Sequence, residues 1–411
     1  MRKILILLVA LALAALAYWF IAPRQPTVAD ATQDFDGFAT ALMDEKAIPG
    51  MAIAVIKNRE VVHMQGYGFA DIQSRRPMTP DTPINIASIS KPILGIVLLQ
   101  LHDKGRLDLD ADINALLPFK VNNPHASGEA ISIRQLATHT SGIADYYHPA
   151  DYQPGADSPI KLTDYLRSLL SPDGARYGDG AHYLNAKPGT LREYSNPGAG
   201  VAGAVAEAAG GASLAVLAKT NIFEPLGMTS SSWLLSDFPP GTLATRYEVS
   251  QCLPYTGLCA STDEPKSNFL IGKIFRPTSA DRQFNAYPQF GNPNYPDGGV
   301  NASARDLALL AQSLLAHGKS GNGVLLSPAA FEEMLKLQLP PEIDDRQRFF
   351  WRDRDGMTGH SGSDKGVYTS FYVDRAKGNA IIVLMNRTPD LETEDAMARL
   401  QTRARHDFLQ K

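Results

Sequence analysis

The sequence predicts a mixed α/β fold of the α+β kind: an antiparallel β-sheet flanked by helices, with a mostly helical domain inserted into it. Three observations carry the prediction. Residues 51–57 and 60–68 are strand-like runs on either side of Asn58-Arg59. Near the other end, Val367–Val373 and Ala380–Met385 are runs of β-branched and aromatic residues around the turn Lys377-Gly378-Asn379. Both pairs read as antiparallel hairpins, so the sheet is assembled from the two ends of the chain. Helical patterns at 34–45 and Leu391–Leu409 flank it, and others fill most of the sequence between.

In chain order, Arg2-Lys3 followed by the nearly all-apolar run Ile4–Ala22 is expected to be an export signal or a membrane anchor. Its length suits a span, Tyr18-Trp19-Phe20 suits an interfacial aromatic belt, and Ala15-Leu16-Ala17 suits a signal-peptidase site. Residues 1–23 are therefore set apart as signal peptide or anchor, 24–33 as a tether rich in Pro, Thr, Asp and Gln, and 34–411 as the globular domain. Either fate of the segment puts that domain in an extracytoplasmic space, periplasmic or at the cell surface.

Within the domain, the α/β part is expected over 34–104 and from about 330 to 411, and the helical insertion over about 105–330. Phe35, Phe38, Ala39 and Leu42 share one face of the first helix. Pro83–Ala87 is an extended apolar approach to a helix that runs through Ile93–Leu101 and stops at Lys104-Gly105. The insertion shows helical patterns at Ile133–Thr138, Leu162–Leu170, Pro197–Ala209, Leu214–Phe223 and Ala304–Ala316. The last is capped by Ser303 with Asp306 three residues on, and its Leu307, Leu310 and Leu314 have the spacing of a buried face. Residues 236–297, rich in Pro, Asn, Tyr and Phe and with little periodicity, are expected to form a binding loop or lid. Tyr247, Tyr255, Phe284, Tyr287 and Tyr295 either line a pocket there or pack on one another.

Composition narrows the function. A chain of 411 residues, 44% hydrophobic and 20% charged, can bury a large core and reads as a globular enzyme. A formal net charge of −4 with no stripe of Lys and Arg gives nucleic-acid binding no support. Cys252 and Cys259 lie in the part expected to be exported and close a short loop, so a disulfide is expected, contributing on the order of 2.5 kcal/mol. No metal-binding pattern accompanies them, and no metal or cofactor is expected. His317-Gly318-Lys319-Ser320 follows a helix and lacks the upstream glycine of a phosphate loop, so it reads as a helix stop and turn.

Three motifs carry chemistry. In Ser88-Ile89-Ser90-Lys91, at the mouth of the apolar helix, residues three apart share a face, so the Lys91 amine stands within reach of the Ser88 hydroxyl. Ser158-Pro159-Ile160-Lys161 matches the same spacing but sits in a polar, Pro-rich loop. A serine hydroxyl is a weak nucleophile until something takes its proton. Tyr194, in Tyr194-Ser195-Asn196, is a second candidate for that task; lowering a tyrosine pKa from about 10 to about 7 takes roughly 4 kcal/mol of differential stabilisation. Tyr183-Leu184-Asn185 is its decoy and follows a Gly-rich polar stretch. Tyr194 is favoured because a turn at Pro188-Gly189-Thr190 precedes it and a small-residue helix from Gly198 to Ala209 follows. The third motif is Gly359-His360-Ser361-Gly362-Ser363, just ahead of the Val367 strand. Gly362 there allows close backbone approach to a ligand, and an N–H nearby could complete an oxyanion hole.

The ordered set Ser-x-x-Lys, Tyr-x-Asn and His-Ser-Gly resembles the serine β-lactamase and penicillin-binding-protein superfamily, specifically its class C β-lactamase-related branch. Ile48-Pro49-Gly50, Gly66-Tyr67-Gly68, Leu136–Gly142, Leu226-Gly227-Met228 and Gly298-Gly299-Val300 resemble that branch too, and the likeness covers roughly residues 30 to 410. The resemblance implies a β-lactamase/transpeptidase-like fold with Ser88 as nucleophile, Lys91 and Tyr194 as the proton-transfer pair, and Asn196 as a polar positioning group. It implies an oxyanion hole from the backbone N–H groups of Ser88 and Ser363, with His360, Ser361 and Gly362 against the substrate. Where this chain has His360, class C β-lactamases and many transpeptidases have a lysine that helps hold the substrate carboxylate. That departure moves the expectation from β-lactam turnover toward esterase, D-amino-acid peptidase or amidase chemistry on a small-molecule or peptide substrate. A β-lactamase, and a penicillin- or muropeptide-binding sensor that acylates without turnover, are the alternatives. Oligomeric state is left open.

Overall fold

The computed structural model describes residues 34–252, 259–260, 282–320 and 323–410. The expected export or anchor segment, the tether and Tyr255 lie outside them. The chain divides into two compact units, Ile48–Glu248 with Phe284–Lys411, and Met1–Ala47 with Val249–Gln283.

In the smaller unit, helix α1 (Phe35–Lys46) starts at Asp34, whose carboxylate accepts the Gly37 N–H at 2.8 Å, and stops at Ala47 in the left-handed region. Among its described residues a short ladder sets Gln251 opposite Ala260 and Cys252 opposite Cys259. The two cysteine side chains lie outside the described residues.

The larger unit holds β1 (Gly50–Lys57), β2 (Glu60–Asp71), β3 (Arg76–Pro77), α2 (Ser90–Asp103), α3 (Leu162–Leu170), α4 (Asn196–Gly210), α5 (Ala304–Leu315), β4 (Arg352–Arg354), β5 (Met357–Asp364), β6 (Val367–Asp374), β7 (Asn379–Met385) and α6 (Leu391–Ala404). Seven strands form one antiparallel sheet in the order β4-β5-β6-β7-β1-β2-β3. The two hairpins read from the sequence join where β1 pairs with β7, Met51 opposite Met385. Every residue of β7 and all but the last of β1 are buried, because both faces of the sheet centre are covered. Ala52, Ala54, Ile56, Ala380, Ile382 and Leu384 join the main core, and α5 packs on β1 and β7. The intervening residues point to the other face by strand alternation. There α6 packs on β7, and Gln401 donates to the Ser370 hydroxyl of β6 at 2.7 Å.

Two parts differ from the sequence reading. The His-Ser-Gly motif is itself a strand, β5, which the sequence does not signal because Gly359, Gly362 and the serines have low strand propensity and pairing with β6 along its length, and with β4 as far as Gly359, holds them extended. The segment 236–297 is not wholly irregular: Arg246–Cys252 and Arg282–Tyr287 are strands. The small-residue helix does pack closely, as its composition suggests. A Cβ on Gly200 would stand 1.7 Å from Asn294 Oδ1, and one on Gly203 would stand 2.4 Å from Pro296, so α4 carries the 292–299 loop directly on its backbone.

The sheet meets α2 through an equally tight contact. A Cβ on Gly362 would lie 2.2 Å from the Ile86 carbonyl and 2.3 Å from Thr369 Oγ1, while Thr369 donates to that carbonyl at 2.9 Å. Gly362 has no positive φ, so its need for glycine is steric alone. Gly362→Ala is expected to lower stability by about 1–3 kcal/mol. Denaturant unfolding checks this, and an unchanged midpoint with unchanged slope would refute the contact.

Candidate active site

The turn that presents Ser88 is strained and heavily tied. Ala87 has φ 47°, a left-handed conformation that costs a residue with a Cβ of order 1–3 kcal/mol unless its surroundings hold it there. Three polar side chains do so. Asn85 accepts the Ala87 N–H at 3.0 Å and donates to the carbonyls of Gly298 and Val300 at 3.0 and 3.2 Å. Ser90 donates to the Ala87 carbonyl at 2.7 Å and accepts the Val300 N–H at 3.0 Å. Thr369 fixes Ile86 from the sheet. A short 3₁₀ turn, Ala87–Ile89, then runs into α2. Between Pro83 and Leu99 only Ser88 is not fully buried, so the turn offers a single side chain to the outside.

Lys91, one turn on, is fully buried. Its Nζ donates to Ser88 Oγ at 3.1 Å, to Asn196 Oδ1 at 2.7 Å and to the Asp297 carbonyl at 2.6 Å. All three acceptors are uncharged, and an ammonium has three N–H groups to give them. Tyr194 closes the group: its hydroxyl donates to Ser88 Oγ at 2.9 Å, and its ring centroid lies 4.9 Å from Lys91 Nζ. Ser88, Lys91, Tyr194 and Asn196, separated by up to 108 positions in the sequence, thus share one hydrogen-bonded cluster.

His139 positions Tyr194. It is buried, its ring packs against that of Tyr194 with centroids 4.3 Å apart and planes tilted by 35°, its carbonyl accepts the Glu193 N–H at 2.8 Å and its Nδ1 accepts the Ser195 N–H at 3.3 Å. That last contact assigns the ring proton to Nε2. Ser195 then caps α4 by accepting the Gly198 N–H at 2.9 Å, so the Tyr194 segment and the helix that bears Asn196 are fixed together.

The fourth wall is β5. Its hairpin to β4 closes on Arg354 opposite Met357, with Asp355 and Gly356 both at positive φ, the two-residue turn that closes on a hydrogen-bonded pair. Alternation along the strand directs the main-chain groups of its odd-numbered residues toward β4. Pairing with β4 ends at Gly359, leaving the main-chain groups of Ser361 and Ser363 at an open edge. Ser88 and Ser363 line the same cavity of about 500 Å3. His360 holds Nδ1 2.6 Å from the Ser361 carbonyl and its ring centroid 6.4 Å from that of Tyr194. Burial, with the Lys91 charge second, pushes its imidazole down to about 4, so it is neutral at pH 7, with Nδ1–H donating.

Asn196, Asp297 and Asp364 also line the cavity, whose far wall includes Tyr147, Tyr152 and Phe290. Of the aromatics singled out in the sequence, Tyr295 lines it. Tyr247 is buried elsewhere with its hydroxyl accepting the Ile72 N–H at 2.8 Å, Tyr287 packs edge-on against Phe290, and Phe284 is exposed. Of the decoys, Ser158 and Lys161 also border the cavity, but Lys161 precedes α3, so the two do not share a helical face; Tyr183 is buried, donating to the Leu170 carbonyl at 2.7 Å. Asn85, Ser90, Asp297 and the function of His139 are not foreseen from the sequence. Only the adjoining Gly298-Gly299 pair, where a Cβ on Gly299 would stand 2.8 Å from the Tyr295 carbonyl, hints at a tight loop there.

The family model described as Beta-lactamase matches residues 35–405. The chain belongs to the beta-lactamase family. Beta-lactamase family relatives include protein flp of Staphylococcus aureus (strain N315), 28% identical over 225 residues, a match that takes in 55% of this chain and 43% of flp. Esterase EstB of Burkholderia gladioli is 28% identical over 378 residues, 85% of this chain and 88% of EstB. A penicillin-binding protein from Bacillus halodurans has the same fold, with a TM-score of 0.64 at 21% identity over 89% of this chain and 99% of that one. A D-stereospecific amidohydrolase from Streptomyces sp. and a class C beta lactamase from Rhodobacter sphaeroides share the fold, each with a TM-score of 0.59, at 20% and 22% identity over 89% and 90% of this chain and 98% and 99% of theirs.

The neutral, buried His139 links this beta-lactamase family site to pH. An unfolded histidine titrates near 6.5, and burial, then the Lys91 charge, holds the folded one well below that. As pH falls the unfolded chain takes up the proton first, so the stability His139 contributes is present above about 6.5 and is lost below it. The stability gap between wild type and His139→Asn, which keeps an acceptor and tolerates positive φ, is expected to narrow by about 1.4 kcal/mol per pH unit below about 6.5, until the folded value is reached. Unfolding curves at several pH values check this; a gap independent of pH would contradict it.

Proposed function

We propose that this protein is a serine ester or amide hydrolase that works through an acyl-enzyme on Ser88. The observation that carries the reading is one partly exposed hydroxyl, at the mouth of a cavity, held at 3.1 Å by Lys91 and 2.9 Å by Tyr194. In the proposed cycle Tyr194 reacts as its phenolate beside the Lys91 ammonium: it takes the Ser88 proton as Oγ attacks the substrate carbonyl, and the oxyanion forms against the N–H groups of Ser88 and Ser363. Tyr194 returns the proton to the leaving oxygen or nitrogen. Water then attacks the acyl carbonyl with the same pair as base, and Ser88 is regenerated. Asn196 keeps Lys91 aligned from the α4 side.

Within this chemistry the reading favours carboxylesterase or D-amino-acid peptidase or amidase activity over β-lactam turnover. A neutral His360 supplies no positive charge for a substrate carboxylate. The whole-length likeness to an esterase supports the same choice. The catalytic domain is proposed to act outside the cytoplasm, tethered or released by its N-terminal apolar segment, with the facing Cys252 and Cys259 forming a disulfide.

A fluorophosphonate probe is expected to label the protein stoichiometrically, and Ser88→Ala to abolish labelling; label that persists in the variant overturns the assignment. Tyr194→Phe is expected to lower kcat by about 10²–10⁴-fold with short-chain p-nitrophenyl esters, the span typical of a positioned acid–base group. Wild-type turnover of those esters should exceed that of nitrocefin, and the reverse order would favour a β-lactamase.

A further inference from the structure

We infer that Asp297 selects substrates that carry a protonated amine close to the scissile carbonyl. This rests on the hydrolase reading and concerns the same cavity. Asp297 lines the cavity with a side chain 9% exposed, and its own carbonyl accepts from Lys91, which places it one residue's reach from the reacting centre. Its carboxylate has only neutral donors: Asn292 Nδ2 at 3.1 Å on one oxygen and Asn294 Nδ2 at 3.0 Å on the other. Asn294 also donates to the Asn196 carbonyl at 2.9 Å and is pressed on Gly200 of α4, so the carboxylate is held by a rigid support.

A buried carboxylate without a cation is costly. The groups that face it are Lys91, already committed to three oxygens, the carboxylates of Asp364 and Asp145, and the phenols of Tyr152 and Tyr165. Asp364 has Arg246 at 3.5 Å, but that guanidinium also lies 4.2 Å over the Phe290 ring and turns away to Gln289 and the Lys365 carbonyl. Asp157 and Glu207, also at the cavity wall, are spent on the backbone N–H groups of Leu235 and Leu214. Lys161, exposed on the cavity wall, and Arg246 form no ion pair with Asp297, so among the described residues no cation lies within ion-pair distance of its carboxylate, and a ligand ammonium would supply one. Tyr147, Tyr152 and Phe290 beyond it would accept an apolar side chain. An α-amino acyl ester or amide with a free amino group combines the two features.

Burial holds the Asp297 carboxyl up at about 7, against the opposing pull of Lys91. A free α-amino group titrates at about 7.7–8.0, so both partners are charged together only in the narrow interval around pH 7 to 8. The test compares kcat/KM for an α-amino acyl p-nitroanilide with that for its N-acetyl counterpart. The wild-type ratio is expected to exceed about tenfold near pH 7.5 and to fall by about tenfold near pH 5.5, where Asp297 is protonated. Asp297→Asn should bring the ratio close to one at every pH. A wild-type ratio at or below one, or one that pH and Asp297→Asn both leave unmoved, overturns the inference. Turnover of the N-acetyl compound together with Ser88 labelling keeps the hydrolase reading intact in that case; loss of both activities and of labelling overturns both.

Discussion

A buried ammonium without a counter-carboxylate is the constraint around which this site is built. Lys91 is fully enclosed, and its three N–H groups go to a hydroxyl, an amide oxygen and a main-chain carbonyl. A desolvated charge is tolerated only where each hydrogen bond is made, so the three acceptors must arrive together. They come from three places: the Ser88 turn, the start of α4 and the 292–299 loop. Among the described residues no carboxylate forms an ion pair with Lys91; its field acts directly on the Ser88 oxygen and the Tyr194 ring, and at longer range on Asp297 and Asp364. A salt bridge would be the easier way to bury a lysine, but it would spend that field elsewhere.

The rest of the architecture can be understood as the means of delivering those acceptors. Glycines in α4 let the 292–299 loop settle on the helix backbone, and Asn294 ties that loop to Asn196. Gly362 lets β5 lie against the Ser88 turn, and Thr369 anchors the turn to the sheet. Ala87 is held in a left-handed conformation by Asn85 and Ser90, a cost accepted to push one hydroxyl out of a buried segment. At the open edge of β5 beyond Gly359, Ser363 then brings its N–H to the cavity, the kind of donor an oxyanion needs.

Much of this was legible in the sequence, for identifiable reasons. The hairpins around Asn58-Arg59 and Lys377-Gly378-Asn379 were readable because alternation and turn chemistry are local. Ser88 and Lys91 were readable because helical spacing alone sets them side by side. Tyr194 could be told from Tyr183 by the turn before it and the small-residue helix after it. What stayed hidden depends on contacts across long sequence separations. β5 does not resemble a strand until β6 pairs with it. Asn85 looks like a residue in an extended run, and only its bonds to Gly298 and Val300, more than 200 positions away, reveal its function. His139 and Asp297 sit in motifs whose composition suggests turns, and their burial beside Lys91 could not be read from neighbours in the chain.

The central claim is that this uncompensated lysine, with Tyr194, makes Ser88 the nucleophile. Its most direct test is acid-quenched peptide mapping by mass spectrometry during steady-state hydrolysis of a p-nitrophenyl ester. The account predicts an acyl group on the peptide containing Ser88, formed in a burst of one equivalent and then turned over. Acylation on the Ser158 peptide instead, or steady turnover with no acylated serine at any quench time, would contradict it.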